Sequence, residues 1–512
     1  MMRLSNKGII LFALLATAPG ACSRENKAGA ALVVAIEGNP TSLDPRVAQD
    51  AYSQRIFPLV FEGLLSLDQN ALPAPGLALS WEQPDPLTYV FHLAPGRLTP
   101  TGHEIAARDV AATFDSLSDP ALRSPRKVIR DRIARIEALD DHTVKFTLNQ
   151  VYAPFLSDLV LGIIPAHADS AEFRARPFGS GPYRVESFEP GAAVTLIANP
   201  RFHGAPPPIP RIVFRVVPDD TTRVLALERG EVQLLYNNVP PDDLPLLQKN
   251  PRITVRMRPG INYSYLGFNL RDPVLKNRAV REAIAMAIDR ETISRCLLKD
   301  TVTPAAELMA PSHWAYNPDV EQYPFDPDRA QQLLDQAGFI DPDGDGPEPR
   351  FKLEYKTSQS KTRRWVADAI ADQLEKVGIA VEVRSYEWGT FFGDVRAGEF
   401  QIYSLTWVGI TDPDIYYQAF HSASIPPNGD NRNRYQNPAF DSLAEAGRLA
   451  LTRETRRPIY FQLEQIIAHD LPYVSLWYGN DIVAMDHKLQ GFEFYPGGDF
   501  RSLARARFKL EN

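Results

Sequence analysis

The chain has 512 residues, is 44% apolar, and carries 63 acidic against 55 basic side chains, for a formal charge of −8. That length exceeds what one hydrophobic core usually supports, so two or more lobes are expected, and the apolar fraction excludes a disordered chain. An acidic balance without basic runs makes nucleic acid a poor partner.

In chain order, Arg3 and Lys7 precede the apolar run Gly8 to Ala18, about 11 residues, which is too short to span a bilayer and reads as the core of a signal peptide ending at residue 21. Losing Arg3 and Lys7 lowers the formal charge from −8 to −10. Gly20, Ala21 and Cys22 resemble a lipobox, in which Cys22 takes lipid and becomes the mature N-terminus. Pro19 stands where an aliphatic residue is usual, so ordinary cleavage to a soluble protein is the alternative. Residues 22–30 are polar and read as a flexible tether. No later stretch approaches the roughly 20 apolar residues a membrane span needs. With Cys22 acylated, Cys296 is left single, and no disulfide is expected. It ends a helical segment, ETISRCLLKD, where a buried inert thiol is the expectation.

ALVVAIEG (31–38) reads as a buried opening strand, and TYVFHLAPG (88–96) and HTVKFTLNQ (142–150) alternate as half-buried strands do. AARDVAATFDSL (106–117) and AVREAIAMAI (279–288) carry apolar stripes at helical spacing. RRWVADAIADQLEKVGIAVEVRSY (363–386) predicts a helix, a stop at Gly378 and a strand. The mixture is α/β.

Catalytic and metal motifs are weak. GSGPY (179–183) lacks the lysine and spacing of a phosphate loop, and Ser180 lies outside any GxSxG, so a tight turn is expected there. DPDGDG (341–346) opens like a calcium loop but has Lys352 at the twelfth position, which favours a plain turn. The nine histidines stand at no metal-binding helical spacing. Neither an enzyme nor a bound cofactor or metal is expected.

The phrases TSLDP (41–45), GSGPYRV (179–185), YLGFNL (265–270), RAVREAIAMAIDRE (278–291) and WVGITDPD (407–414), in that order, resemble the family 5 extracellular solute-binding proteins. These are the dipeptide, oligopeptide and nickel receptors of ABC importers, and the resemblance runs from about residue 31 to the C-terminus. It implies a multi-lobed α/β periplasmic-binding-protein fold of the large three-domain variety, type II, with ligand held between two main lobes. Lobe I would comprise 31–65, 176–264 and 479–512. Lobe II would be inserted at 66–175, and lobe III would span 265–478. The strands YSYLGFNL and PYVSLWY (472–478) would form the hinge.

The same resemblance implies a monomeric, lipid-tethered periplasmic or cell-surface receptor that hands a small peptide or peptide-like solute to permease subunits. It places Glu37, Gly38 and Asn39 at the lobe I lip. Arg363 and Arg364 fall where dipeptide binders carry an arginine for the ligand carboxylate, and Trp388 and Trp407 match the two aromatic cleft segments. After Trp407, peptide-binding relatives commonly place an aspartate for the ligand ammonium. Here Val408, Gly409, Ile410 and Thr411 follow instead, and Asp412 and Asp414 read as loop caps. A metal-chelate or other non-peptide receptor is therefore the alternative, with a secreted hydrolase or ligand-holding chaperone behind it.

Overall fold

The computed structural model describes residues 31–168, 171–344 and 346–509, so Cys22 and the segments read as leader and tether lie outside the described residues. One mixed sheet runs through most of the molecule. From one edge its strands are Ile379–Tyr386, Phe351–Ser358, Ile402–Trp407, Ile253–Phe268, Tyr473–Asp486, Leu234–Tyr236, Leu32–Ile36, Arg211–Val216, Ala193–Ala198 and Tyr183–Glu189; Val302–Pro304 pairs beside Tyr473–Asp486. Leu32–Ile36 is almost wholly apolar because it is flanked on both sides by parallel neighbours and buried on both faces.

The two longest strands, Ile253–Phe268 and Tyr473–Asp486, pair antiparallel along most of their length and lie between separate cores. On one side lies a core built from Leu32, Ile56, Tyr183, Phe214 and Phe500. On the other, the period-2 alternation of the paired strands feeds two cores. Leu266 and Phe268 pack with Ile284, Ile370 and Leu476, while Tyr263 and Tyr265 pack with Tyr403, Phe420 and Tyr478. A four-stranded antiparallel sheet, with order Ala78–Asp85, Thr88–Leu93, Thr143–Leu148 and Ile133–Asp140, buries its own core of Tyr89, Phe91, Val144 and Phe146 against Phe114 of the helix Ala107–Ser116. We refer to it below as the four-stranded unit.

Local sequence accounts for these elements. Helix Arg278–Ala287 starts at Asn277, whose side chain accepts from the Ala279 N–H, and buries Val280, Ala283, Ile284 and Ala287 on one face. Helix Lys361–Glu375 stops before Gly378, which adopts φ +83°, and strand Ile379–Tyr386 follows. The GSGPY run is a turn: Gly181 N–H donates to the Val60 carbonyl at 3.0 Å, and a Cβ on Gly181 would lie 2.5 Å from the Val60 carbonyl carbon. Gly181→Ala is therefore expected to cost about 1–3 kcal/mol by overpacking, read as a lowered melting temperature, whereas Ala at the open Gly393 should cost far less.

Cys296 corrects an expectation. It does end its helix, Arg290–Cys296, but it is exposed, because Ile293 and Ser294 occupy the inward face of that short helix.

Candidate functional site

Strand Ile402–Trp407 pairs with Ile253–Phe268, setting Trp407 opposite Tyr263. The Trp407 ring stacks on Tyr265, with centroids 6.5 Å apart, and the Arg432 guanidinium lies 4.8 Å from its centre. The same guanidinium sits 5.2 Å from Phe392, and Phe392 stacks on Trp388 at 5.6 Å. Arg363 covers the other end, 5.3 Å from the Trp388 ring. Arg363, Trp388, Phe392, Arg432 and Trp407 thus form a continuous ladder of cations and aromatic rings, with Trp388 and Phe392 stacked between the two guanidinium groups. Each desolvated cation–ring contact of this kind is worth about 2 kcal/mol and exposed ones less. Asp430 holds Arg432 at 2.7 Å, with Tyr265 Oη at 3.4 Å. Among the described residues, the buried Trp407 indole N–H and Arg432 Nε have no hydrogen-bond partner.

Past Trp407 the chain turns sharply. Gly409 adopts φ +68°, and its N–H donates to Asn262 Oδ1 at 3.0 Å. A Cβ there would lie 3.6 Å from Gly497 Cα, on the far side of the long strand pair, so the two backbones nearly meet. Val408 is 51% exposed, whereas Ile410 is only 7% exposed and packs into the tyrosine-rich core. The Thr411 carbonyl faces His313 Nε2 at 3.2 Å.

Neither Asp412 nor Asp414 is free. Arg456 grips Asp412 through two bonds of 2.9 and 2.6 Å, and Arg448 grips Asp414 through two of 2.6 and 2.8 Å. Such bidentate pairs hold the turn rigidly. Burial pushes the Asp414 carboxyl up, opposed by Arg448.

Glu37 follows strand Leu32–Ile36 and is exposed, with Tyr52 Oη donating to it at 3.4 Å. Glu37 and Tyr52 are close enough to act electrostatically on Arg363. Desolvation lowers the Arg363 pKa, and Glu37 first, then Tyr52, opposes that change. Burial, reinforced by Glu37, raises the Tyr52 hydroxyl to about 12. Glu37 makes no ion pair within 4.0 Å among the described residues.

The structure therefore gathers Glu37, Arg363 and Trp388 at one place and Trp407, Val408 and Gly409 at another, joined by the ladder. Trp388 is 48% exposed. The remaining residues singled out from the sequence point elsewhere. Arg364 lies on the outer helix face, bonded to Asp368 at 3.1 Å and Ser385 at 3.2 Å. Asn39 Oδ1 accepts from the Gly191 N–H at 2.8 Å, and Gly38 lies against the Tyr52 ring. Phe392 closes the aromatic segment 386–392 that carries Trp388, whereas Tyr52 and Arg432 escaped the sequence reading, and Arg432 has no local signal, being 25 positions from the Trp407 ring it covers.

Residues 73–427 match the family of bacterial extracellular solute-binding proteins, family 5 Middle. The dipeptide-binding protein of Escherichia coli strain K12 is 27% identical over 510 residues, covering 91% of this chain and 92% of that protein. The oligopeptide-binding protein AppA of Bacillus subtilis, solved with a nonapeptide, superposes with a TM-score of 0.82 at 26% identity, covering 94% of this chain and 99% of that one. NikZ of Campylobacter jejuni, solved with Ni(L-His), shares the fold with a TM-score of 0.82 at 24% identity over 93% of this chain and 99% of its own. The α/β periplasmic-binding fold expected from the sequence is the fold these structures have.

Proposed function

The chain belongs to the bacterial extracellular solute-binding proteins of family 5, and on that premise we propose that it is the substrate-binding component of an ABC importer, capturing a peptide or peptide-like solute by closure of its cleft and delivering it to permease subunits. Its family and relatives are binding proteins, so the captured ligand is returned intact, without turnover. The observation that carries the reading is the Arg363-to-Trp407 ladder facing Glu37 across the cleft. Aromatic faces grip variable side chains, and the Arg363 fork suits a terminal carboxylate.

The lobes follow from the same premise: lobe I at 31–65, 176–264 and 479–512, lobe II at 66–175, and lobe III at 265–478, hinged at the two long strands. Closing such a hinge buries the ligand and creates the surface a permease reads. Affinity depends on what the ligand touches in the closed form. The protein acts as a monomer in the periplasm or at the cell surface, tethered through lipid on Cys22, and detergent-phase partition of wild type against Cys22→Ala tests the tether.

A ligand ammonium cannot use Asp412 or Asp414, because each is already paired with an arginine. Glu37, which makes no ion pair within 4.0 Å among the described residues, is free to receive it. Native mass spectrometry of protein purified without refolding, followed by denaturing release, tests the function. Recovered peptides support it; a metal chelate or a single non-peptide species transfers the chain to another ligand class, and a chemically altered product sinks the receptor reading.

Peptides recovered in this way, resynthesised as free acids and as C-terminal amides, separate the two neighbouring arginines. Arg363→Ala is expected to weaken binding of the acid about tenfold or more while leaving the amide within about twofold, as loss of a charge-assisted pair requires. Arg364→Ala should change neither, because its partners are Asp368 and Ser385. Equal losses for acid and amide would remove Arg363 from the carboxylate site.

A further inference from the structure

The four-stranded unit touches the rest of the molecule in two unlike ways. It is bolted to the core that contains Leu32–Ile36. Ser124 Oγ donates to the Arg46 carbonyl at 2.6 Å, and Arg126 donates to the Pro45 and Ala48 carbonyls at 3.1 and 3.0 Å. Arg97 pairs with Glu62 at 3.2 Å, and Arg501 reaches the Leu67 carbonyl at 2.9 Å. These bonds are spread over separate segments, so the two bodies move together.

Its contact with the cores beyond the long strands is a single point. Among the described residues, the hydrogen bonds recorded there are Tyr152 Oη to Asp414 Oδ2 at 3.1 Å and the Ala153 N–H to the Arg448 carbonyl at 2.8 Å. The Tyr152 ring is clamped between Arg132, 4.0 Å from its centre, and Arg448, at 5.6 Å. Arg448 in turn lies 3.1 Å from the centre of Tyr417 and makes the bidentate pair with Asp414. Asp414 stands three residues beyond Thr411, at the end of the turn that begins at Trp407.

A body riveted to one side of a hinge and meeting the other side at one polar point must break that point when the hinge opens. We propose that docking of Tyr152 on the Asp414–Arg448 pair is a closure latch, remote from the ligand, that holds the Trp407–Thr411 turn in its binding position. Tyr152 is then a positioning residue. The role in ligand retention rests on the receptor reading above, whereas the mechanical contact does not.

Two readouts separate these claims. Hydrogen–deuterium exchange is followed in ligand-free wild type, Tyr152→Phe and Tyr152→Ala. The latch predicts that amides of 408–414 exchange about fivefold faster in Tyr152→Phe, and faster still in Tyr152→Ala, while strands Thr88–Leu93 and Thr143–Leu148 keep wild-type rates. Unchanged exchange at 408–414 in Tyr152→Ala overturns the latch. Uniformly faster exchange through the four-stranded sheet also overturns it, since it marks a merely structural role. Dissociation of a peptide recovered from the native protein supplies the second readout, expected to be about fivefold faster in Tyr152→Phe with the association rate within about twofold. Wild-type protein that retains no peptide refutes the peptide-receptor reading and leaves the exchange result to decide the latch. An unchanged dissociation rate in Tyr152→Ala removes the role in retention.

Discussion

Trp407→Ala is expected to weaken peptide binding by about 30-fold or more, roughly 2 kcal/mol, because it removes the large rigid face beside the Gly409 turn, where the backbone nearly meets Gly497. The substitution does more than empty a subsite. Trp407 is stacked on Tyr265 and capped by Arg432, so its loss strips one ring from a buried guanidinium and opens the end of the aromatic ladder. A drop in melting temperature of a few degrees should accompany the loss of affinity. Trp407→Phe separates the two effects. It keeps a ring under Arg432 but gives up area and the indole N–H, so stability should stay close to wild type while affinity still falls severalfold. Calorimetric titration with a recovered peptide, alongside thermal melts, checks both variants. Wild-type affinity in a well-folded Trp407→Ala protein would take Trp407 out of the binding surface.

Glu464→Gln should stabilise the protein, by up to about 3 kcal/mol at pH 7. Glu464 lies on helix Arg453–Asp470, is 1% exposed, and neither of its carboxylate oxygens has a hydrogen-bond partner among the described residues. It lines a cavity of about 40 Å³ together with Glu307, Tyr263, Tyr416 and Ser475. Glu307 is also buried but is satisfied, accepting from Tyr416 Oη at 2.7 Å and from the Asn317 N–H at 2.8 Å. Burial, then the nearby Glu307, pushes Glu464 far above its ordinary value, with Arg457 opposing.

A carboxyl raised in this way binds its proton more tightly when folded than when unfolded. Its relative contribution to stability is therefore complete below the ordinary value of 4.5 and is lost as pH rises toward the folded value. At pH 7 the loss reaches about 2.5 units at about 1.36 kcal/mol each, which sets the ceiling on the gain. The glutamine variant keeps the shape without the titration. Melting curves should nearly coincide close to pH 4.5 and diverge steadily to pH 8, with the variant higher by several degrees. A constant gap across that range would mean the benefit comes from packing rather than from the proton.

Much of this molecule was legible along the chain. The buried opening strand, the stripe of helix Arg278–Ala287 and the helix–Gly378–strand unit all rest on periods of 2 or 3.6 residues and on a glycine that tolerates positive φ, which are properties of a few consecutive residues. The order of short phrases from TSLDP to WVGITDPD pointed to the family. The sequence likewise showed that no aspartate follows Trp407 within the next four positions, and that Asp412 and Asp414 belong to a turn.

The tertiary structure alone decided what each charged group does. Arg363 and Arg364 are adjacent in sequence, yet the helix turns one toward Trp388 and Glu37 and the other toward Asp368. Asp412 is paired to Arg456, 44 residues away, and Asp414 receives Tyr152 from 262 residues away. Cys296 faces out because its short helix turns Ile293 and Ser294 inward. Local periodicity determines which face of an element is apolar. Which arginine finds which carboxylate depends on how whole elements pack, since an ion pair or a cation over a ring acts only across the last few ångströms and no spacing along the chain encodes that approach.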